Sequence, residues 1–335
     1  MNKISITVCT YNRRQLLSDV ISALLNQNIK SSDYEIVICD SHSNDGTAEM
    51  IVELQKSSDV PLHHVHTKNN LAAKRNLGIA TAVHPLVIFL DDDCVPDDRF
   101  IAAYFEKFST VAVGTRVVYC GEVRYPHAWT SHSNYYRFRD SRHFGRGNGL
   151  PAFDRLNFKT IVVMNMCFEK ELFIKTVGTV NENFIGYGAE DQELGWRLEE
   201  VGYSILPCDA RIFHHETTGS IDAYGSKIRR ASRDGMQTLI RINHVAAYSM
   251  TALKKLDVQF PSRSMYDRFV FNTVKLFYLS RFHHLVEWLL NTTDTMPLFY
   301  IPKLYRMLMG VYYVQGVHER GSRLTAEQAE KSWES

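Results

Sequence analysis

Phe89-Leu90-Asp91-Asp92-Asp93-Cys94-Val95-Pro96-Asp97 is the stretch on which the reading of this chain turns. An apolar run, Pro85 to Leu90, ends abruptly in three consecutive carboxylates. A buried strand cannot hold that much unpaired negative charge, so the acids must sit at its exposed C-terminal end. In open α/β sheets, ligands bind at that end. Two carboxylates there, with a third beside them, make a hard oxygen site for Mg2+ or Mn2+ and for a diphosphate carried by the metal. The competing reading is an acidic turn capping the next helix.

Upstream, the element types alternate. Ile4 to Cys9 reads as a strand, and Arg14 to Asn28 as a helix with Leu16, Leu17, Val20, Ile21, Leu24 and Leu25 at helical spacing. Tyr34 to Cys39 is a second strand, and Thr47 to Gln55 a helix that follows the Asp45-Gly46 turn. Leu62 to His66 is a third strand, Leu71 to Val83 a third helix, and Leu86 to Leu90 the strand that runs into the carboxylates. This β-α-β-α-β-α-β order predicts a mostly parallel, Rossmann-like sheet with flanking helices and right-handed crossovers.

Downstream, regularity weakens. Val111 to Tyr119 and Thr160 to Phe168 read as strands. Gly121 to Leu156, rich in Tyr, His, Arg and Gly, is too long for a simple connection and is expected to be a functional loop or lid. A helix over Glu190 to Glu200 follows Gly186-Tyr187-Gly188, and two short strands, Tyr203 to Leu206 and Ala210 to Phe213, come next. From Ile221 the pattern is helical, with expected helices Ile221 to Ala247, Tyr266 to Leu290 and Pro297 to Val317.

The 335 residues, 45% of them hydrophobic, suffice for a large core. A net charge of +1 gives no global field for nucleic acid, which is excluded as a partner. The balance is uneven, however: Ser220 to Arg320 holds fourteen Lys/Arg against seven Asp/Glu. Basic, aromatic helices of this kind suit an anionic membrane surface, with an oligomer interface or helices packed back on the first domain as the competing readings. Six scattered cysteines without a CxxC pair indicate neither a zinc knuckle nor a redox motif. A strand at the very N-terminus and no uncharged apolar run of about 18 residues predict a cytoplasmic protein, peripheral at most on the inner face of the membrane.

These residues together resemble the GT-A fold glycosyltransferases of the large inverting family 2. The resemblance rests on Thr10-Tyr11-Asn12-Arg13 after the first strand, on Asp40-Ser41-His42-Ser43-Asn44-Asp45-Gly46-Thr47 after the second, on Asn69 through Asn76-Leu77-Gly78, and on the DxD pair Asp91 and Asp93. In the second half, Gly186-Tyr187-Gly188-Ala189-Glu190-Asp191-Gln192-Glu193 through Arg197, then Phe213-His214-His215-Glu216, are similar to chondroitin-polymerase-like and galactosyltransferase-like enzymes. Three departures stand out: Ser41 and His42 where the family has Asp and Gly, and Lys74 where Ala is more usual. The implied organisation is a GT-A catalytic domain over 1–219, divided into a nucleotide-binding half (1–110) and an acceptor and catalytic half (111–219). A helical extension over 220–320 and a polar tail over 321–335 follow.

The resemblance implies a metal-dependent inverting transfer of a sugar from a nucleotide donor, UDP-linked by expectation, to a glycan or polyprenyl-diphosphate-linked acceptor in bacterial surface polysaccharide synthesis. It implies Asp93 as direct ligand to Mn2+ or Mg2+, Asp91 beside it, and His214 closing the metal site, with His215 as runner-up. Asp191 is the implied base and Glu190 its alternative. Asp40 would hold the nucleobase, and Thr10, Tyr11, Arg13, Arg75, Asp92 and Asn165 would line the donor. Each has a plainer reading: first-turn helix acids for Glu190 and Asp191, a strand-end histidine for His214, a turn acid for Asp40, and a backbone-satisfying amide for Asn165. Competing functions are a non-catalytic nucleotide- or glycan-binding protein on the same scaffold, or a nucleotidyltransferase. The latter, like a dinucleotide dehydrogenase, would need a Gly-rich loop that Thr10-Tyr11-Asn12-Arg13-Arg14 lacks.

Overall fold

The computed structural model describes residues 3–142, 155–216, 219–257 and 264–320. Eight strands form one sheet: β1 (Ile4–Thr10), β2 (Tyr34–Asp40), β3 (Leu62–His66), β4 (Leu86–Asp91), β5 (Cys94–Pro96), β6 (Val117–Arg124), β7 (Asn165–Glu169) and β8 (Ser204–His214). Their order is β3-β2-β1-β4-β7-β6-β8-β5. The first four are parallel, as the alternating pattern requires. β1 and β2 are buried at every position, which is why they read as continuous apolar runs. Their register places Thr10 opposite Asp40 and Cys9 opposite Asp91, so the polar strand ends gather at one edge.

Beyond β4 the expectation of a mostly parallel sheet needs correction. β7 runs antiparallel between β4 and β6, and β5 antiparallel to β8, so the sheet is mixed. The two short strands expected after Tyr203 are one, β8, whose pairing with β6 shifts register between Gly121 and Glu122. The break in the apolar pattern at Pro207-Cys208-Asp209 marks this irregularity, not a loop. The strands expected at Val111 and Thr160 begin later, at Val117 and Asn165. β5 has only three residues and was not expected, yet its Cys94–His214 pairing joins the two halves of the site.

Of the expected loop Gly121 to Leu156, the first residues extend β6, and His127–His132 and Asn134–Asp140 are short helices. Residues 143–154 of it lie outside the described residues, as does the tail 321–335. The helical extension is more broken than its periodicity suggests. The first helix is Ile221–Arg230, a π turn at Ala231–Gly235, then Met236–Ile242 and His244–Ser249. The second splits into Met265–Leu279 and Phe282–Thr292 at Arg281, whose φ is +57°. The third runs over Pro302–His318. These helices pack back on the α/β part: Ile221, Leu308 and Tyr305 join Tyr135 and Phe138, while Met236 and Leu239 join Phe158 and Phe184. No helix of the described residues is long and apolar enough to cross a membrane.

Candidate active site

The strand ends face the N-terminus of the helix Glu190–Glu200 across a cavity of about 510 Å³. The three consecutive acids take three different environments. Asp92 turns inward, 4% exposed, accepting from Thr10 Oγ1 at 2.7 Å and Arg13 Nη1 at 3.1 Å. Burial pushes its carboxyl up to about 6. Asp93 faces Arg13 Nη1 at 3.2 Å and His214 Nε2 at 3.4 Å. Burial opposes its charge, but His214, then Arg13 and Lys227, hold its carboxyl well below the usual carboxylate range. Asp91 accepts from Arg75 Nη2 at 3.4 Å.

His214 reaches Asp93 because β5 pairs with β8, and the His215 amide donates to the Asp93 carbonyl at 2.7 Å. His215 turns the other way, its ring 5.3 Å from Trp129. His214 Nδ1 lies 3.2 Å from the Tyr125 hydroxyl. That hydroxyl accepts from Arg139 and donates to Glu216 Oε1, and with Nδ1 engaged there Nε2 faces Asp93. An imidazole nitrogen and a carboxylate oxygen directed at the same point fit a divalent cation, with phosphate oxygens and water filling the shell. Asp91 does not close a three-ligand cluster with them among the described residues, so it would stand beside the ion rather than on it.

Arg75 ties the two walls together. Its side chain is 3% exposed, and Nη1 donates to Asp191 Oδ1 at 3.3 Å while Nη2 donates to Asp91. Asp191 is the second residue of the helix, which Glu190 opens after Ala189, whose φ of +66° turns the chain sharply into the cavity. Gly188 and Gly235 allow this: a Cβ at Gly235 would fall 1.7 Å from the Gly188 carbonyl oxygen. Burial raises the Asp191 carboxyl, and Arg75 opposes that rise. Arg75→Met would leave two carboxylates without their shared cation. We expect it to cost about 3 kcal/mol of stability and to move the acid limb of any pH–rate profile upward. Urea melts and the profile check this, and an unmoved limb would count against an ionised Asp191 in the reaction.

Glu190 is pushed up to about 7, by burial and then by Asp191, and its Oε2 is buried without a hydrogen-bond partner among the described residues. A carboxyl with a raised folded pKa stabilises the fold below its unfolded value of 4.5 and loses that contribution as pH rises through about 7. Glu190→Gln should therefore raise the melting temperature near about pH 8 and leave it unchanged near about pH 4. Equal shifts at both pH values would contradict the buried charge.

Against known proteins, the profile of Glycosyl transferase family 2 matches residues 5–167. Residues 5–167 are a glycosyl transferase family 2 domain. The chain is 25% identical over 246 residues to a chondroitin synthase of Escherichia coli, covering 64% of this chain but only 34% of that one. It is 22% identical over 240 residues to the glycosyltransferase AglE of Haloferax volcanii, covering 69% of this chain and 71% of that protein. In structure it is similar to the mannosyltransferase PcManGT from Pyrobaculum calidifontis, solved with GDP-Man and Mn2+, with a TM-score of 0.63 at 15% identity over 94% of this chain and 86% of that one. The GT-A-like fold expected from the motifs is thereby shown.

Two expected donor residues sit elsewhere. Asp40 ends β2 outside the cavity wall. Its carboxylate accepts from Ser43 Oγ at 2.6 Å and meets His64 Nε2 at 3.2 Å, with His66 3.9 Å away. Asn165 is fully buried: Tyr104 donates to its Oδ1 at 2.6 Å, and its Nδ2 donates to the carbonyls of Glu122 and Ala210. It brackets β6, β7 and β8, as the plainer reading has it, and Met164 lines the cavity instead. The remaining expected residues, Thr10, Tyr11, Arg13, Arg75, Asp91, Asp92, Asp93, Glu190, Asp191 and His214, all line it.

Sequence reading missed several others. Lys74, noted only as a departure, is buried and donates to the Thr10 carbonyl at 3.2 Å. Lys227, from the helical extension, also lines the cavity. Asn70 and Asn76 act at a distance, their amides donating to the carbonyls of Phe184 and Val180 and so fastening the segment that leads to Glu190.

Proposed function

We propose that the chain transfers a sugar with inversion from a nucleoside diphosphate donor, UDP-linked by preference, to an acceptor hydroxyl. The observation that supports this best is the Arg75 bridge between Asp91 and Asp191, which holds a candidate base opposite the Asp93–His214 pair in one cavity. Mn2+ or Mg2+ held by Asp93 and His214 would neutralise the donor diphosphate. Arg13 and Lys74 line the same region and add positive charge for the leaving phosphates. Asp191, ionised beside Arg75, takes the proton of the acceptor hydroxyl as its oxygen forms the new bond to the anomeric carbon. The bond from that carbon to the phosphate oxygen breaks on the opposite face, and the electron pair leaves with the nucleoside diphosphate.

The relatives' names favour this reading. They include two chondroitin synthases and a Poly(ribitol-phosphate) beta-N-acetylglucosaminyltransferase, and the solved mannosyltransferase carries GDP-Man and Mn2+. The acceptor would be a glycan or lipid-linked glycan in surface polysaccharide synthesis. For Asp40 to meet the nucleobase, Ser43 and His64 must yield, since both already occupy its oxygens. A panel of UDP- and GDP-sugars, with nucleoside diphosphate release followed with Mn2+ and with EDTA, tests the proposal. Metal-dependent release of UDP supports it, and binding without release on any acceptor supports a binding protein instead.

A further inference from the structure

β3 forms one edge of the sheet and pairs with β2. Side chains two apart on a strand share a face, so His64 and His66 point the same way, and the register sets His66 opposite Asp40. His63, between them, points the other way and meets Glu35 Oε2 at 3.0 Å. The Asp40 carboxylate is buried. Ser43 occupies its Oδ1, donating from Oγ at 2.6 Å. Its Oδ2 faces both imidazoles, with His64 Nε2 at 3.2 Å and His66 Nε2 at 3.9 Å. One ligand atom from each of the three residues lies within 4.8 Å of the others, the one such convergence of three His, Cys, Asp or Glu side chains among the described residues. His42, at φ +61°, stacks its ring on His66 with the centroids 4.9 Å apart.

We propose that Asp40, His64 and His66 form a transition-metal site, with Zn2+ as its best-suited ion, separate from the Asp93–His214 pair. An ordinary ion pair accounts for His64 only. His66 Nε2, 3.9 Å from the same oxygen, is beyond hydrogen-bond reach, and two protonated rings with centroids 4.3 Å apart would repel each other. One dication between the rings removes both difficulties. Ligand atoms about 2.1 Å from a tetrahedral ion lie about 3.4 Å from one another. The 3.2 Å pair is therefore already in place, and His66, its side chain 40% exposed, has room to close the 3.9 Å. The ligands are also in the forms that a metal needs. Burial opposes the Asp40 charge, but His64 and Ser43 hold its carboxyl below the usual range. Burial, then His64, lower the pKa of the His66 imidazole, which keeps that ring neutral near neutral pH. Two imidazole nitrogens favour Zn2+ over Mg2+, which prefers an oxygen shell. Water would complete the coordination, and the bound ion would pin the edge strand β3 to β2. Asp40 ends β2 outside the cavity wall, so the site is independent of the transfer reading.

The test is calorimetric titration of Zn2+, with Mg2+ as the comparison ion, into the full wild-type chain and into Asp93→Asn, which disables the other candidate metal site. His66→Gln, alone and with His64→Gln, is then placed in both chains, and urea melts report that each variant is folded. His66 is exposed, so His66→Gln keeps the test open should the double variant fail to fold. We expect Asp93→Asn to bind Zn2+ at least about tenfold more tightly than Mg2+, and His66→Gln in that chain to weaken Zn2+ at least about tenfold. In the wild-type background the same substitution should remove one equivalent of bound Zn2+. Zn2+ should also raise the melting temperature of the wild type more than that of the double variant. Absence of Zn2+ binding from the wild type, or its loss in Asp93→Asn with the histidines intact, would overturn the proposal. So would equal affinity for the two ions in Asp93→Asn, or Zn2+ binding that neither histidine substitution alters.

Discussion

Asp191→Asn is expected to lower turnover by roughly a thousandfold or more while leaving nucleoside diphosphate affinity within about twofold of wild type. The substitution keeps the side chain's size and its place at the helix N-terminus but removes the group that takes the proton. It leaves the opposite wall, Asp93 and His214, untouched. The amide can still meet Arg75 through its carbonyl oxygen, so the 3.3 Å contact need not be lost. Single-turnover kinetics with a saturating donor separates chemistry from binding. If Asp191→Asn retains wild-type turnover, the base is elsewhere. Glu190, raised to about 7, is then the group to examine, because it gains charge in the range where activity would be measured.

Asp93→Asn is the second large effect. Asp93 and His214 converge within 3.4 Å, and the Asp93 carboxyl stays charged because His214, Arg13 and Lys227 surround it. Removing that charge should abolish the gain in nucleotide affinity that Mn2+ confers and reduce turnover by roughly a hundredfold or more. Asp92→Asn is the informative contrast. Asp92 is bonded to Thr10 and Arg13 rather than directed at His214, so its replacement should leave the metal dependence in place. Titrating Mn2+ against both variants distinguishes them. Equal loss of metal dependence in the two would mean that the triad binds metal as a unit.

The carboxylate-rich end of β4 was legible in the sequence because charge must leave a buried strand where the strand ends. The parallel strands were legible for the same reason, since β1 and β2 are buried throughout and show no polar alternation. β5 was not legible: three residues carry no periodicity, and only pairing with β8 defines them. That pairing is what joins His214 to Asp93, so the motif gave the residues while the long-range register gave the contact. The π turn at Ala231–Gly235 and the break at Arg281 were likewise hidden, because each keeps helical composition on both sides. Asp40 was placed at the correct strand end, but its partner His64 comes from β3, and nothing local in the sequence announces that bond. Lys227 reaches the cavity only through the packing of the helical extension, which periodicity does not describe.

Titration of UDP, and of GDP in parallel, into the wild-type chain with Mn2+ and again with EDTA tests the central claim most directly. The account predicts that UDP binds in the presence of Mn2+, that affinity falls at least about tenfold in EDTA, and that Asp93→Asn shows the weaker value under both conditions. Binding of neither nucleotide, or binding indifferent to both the metal and Asp93, would contradict it.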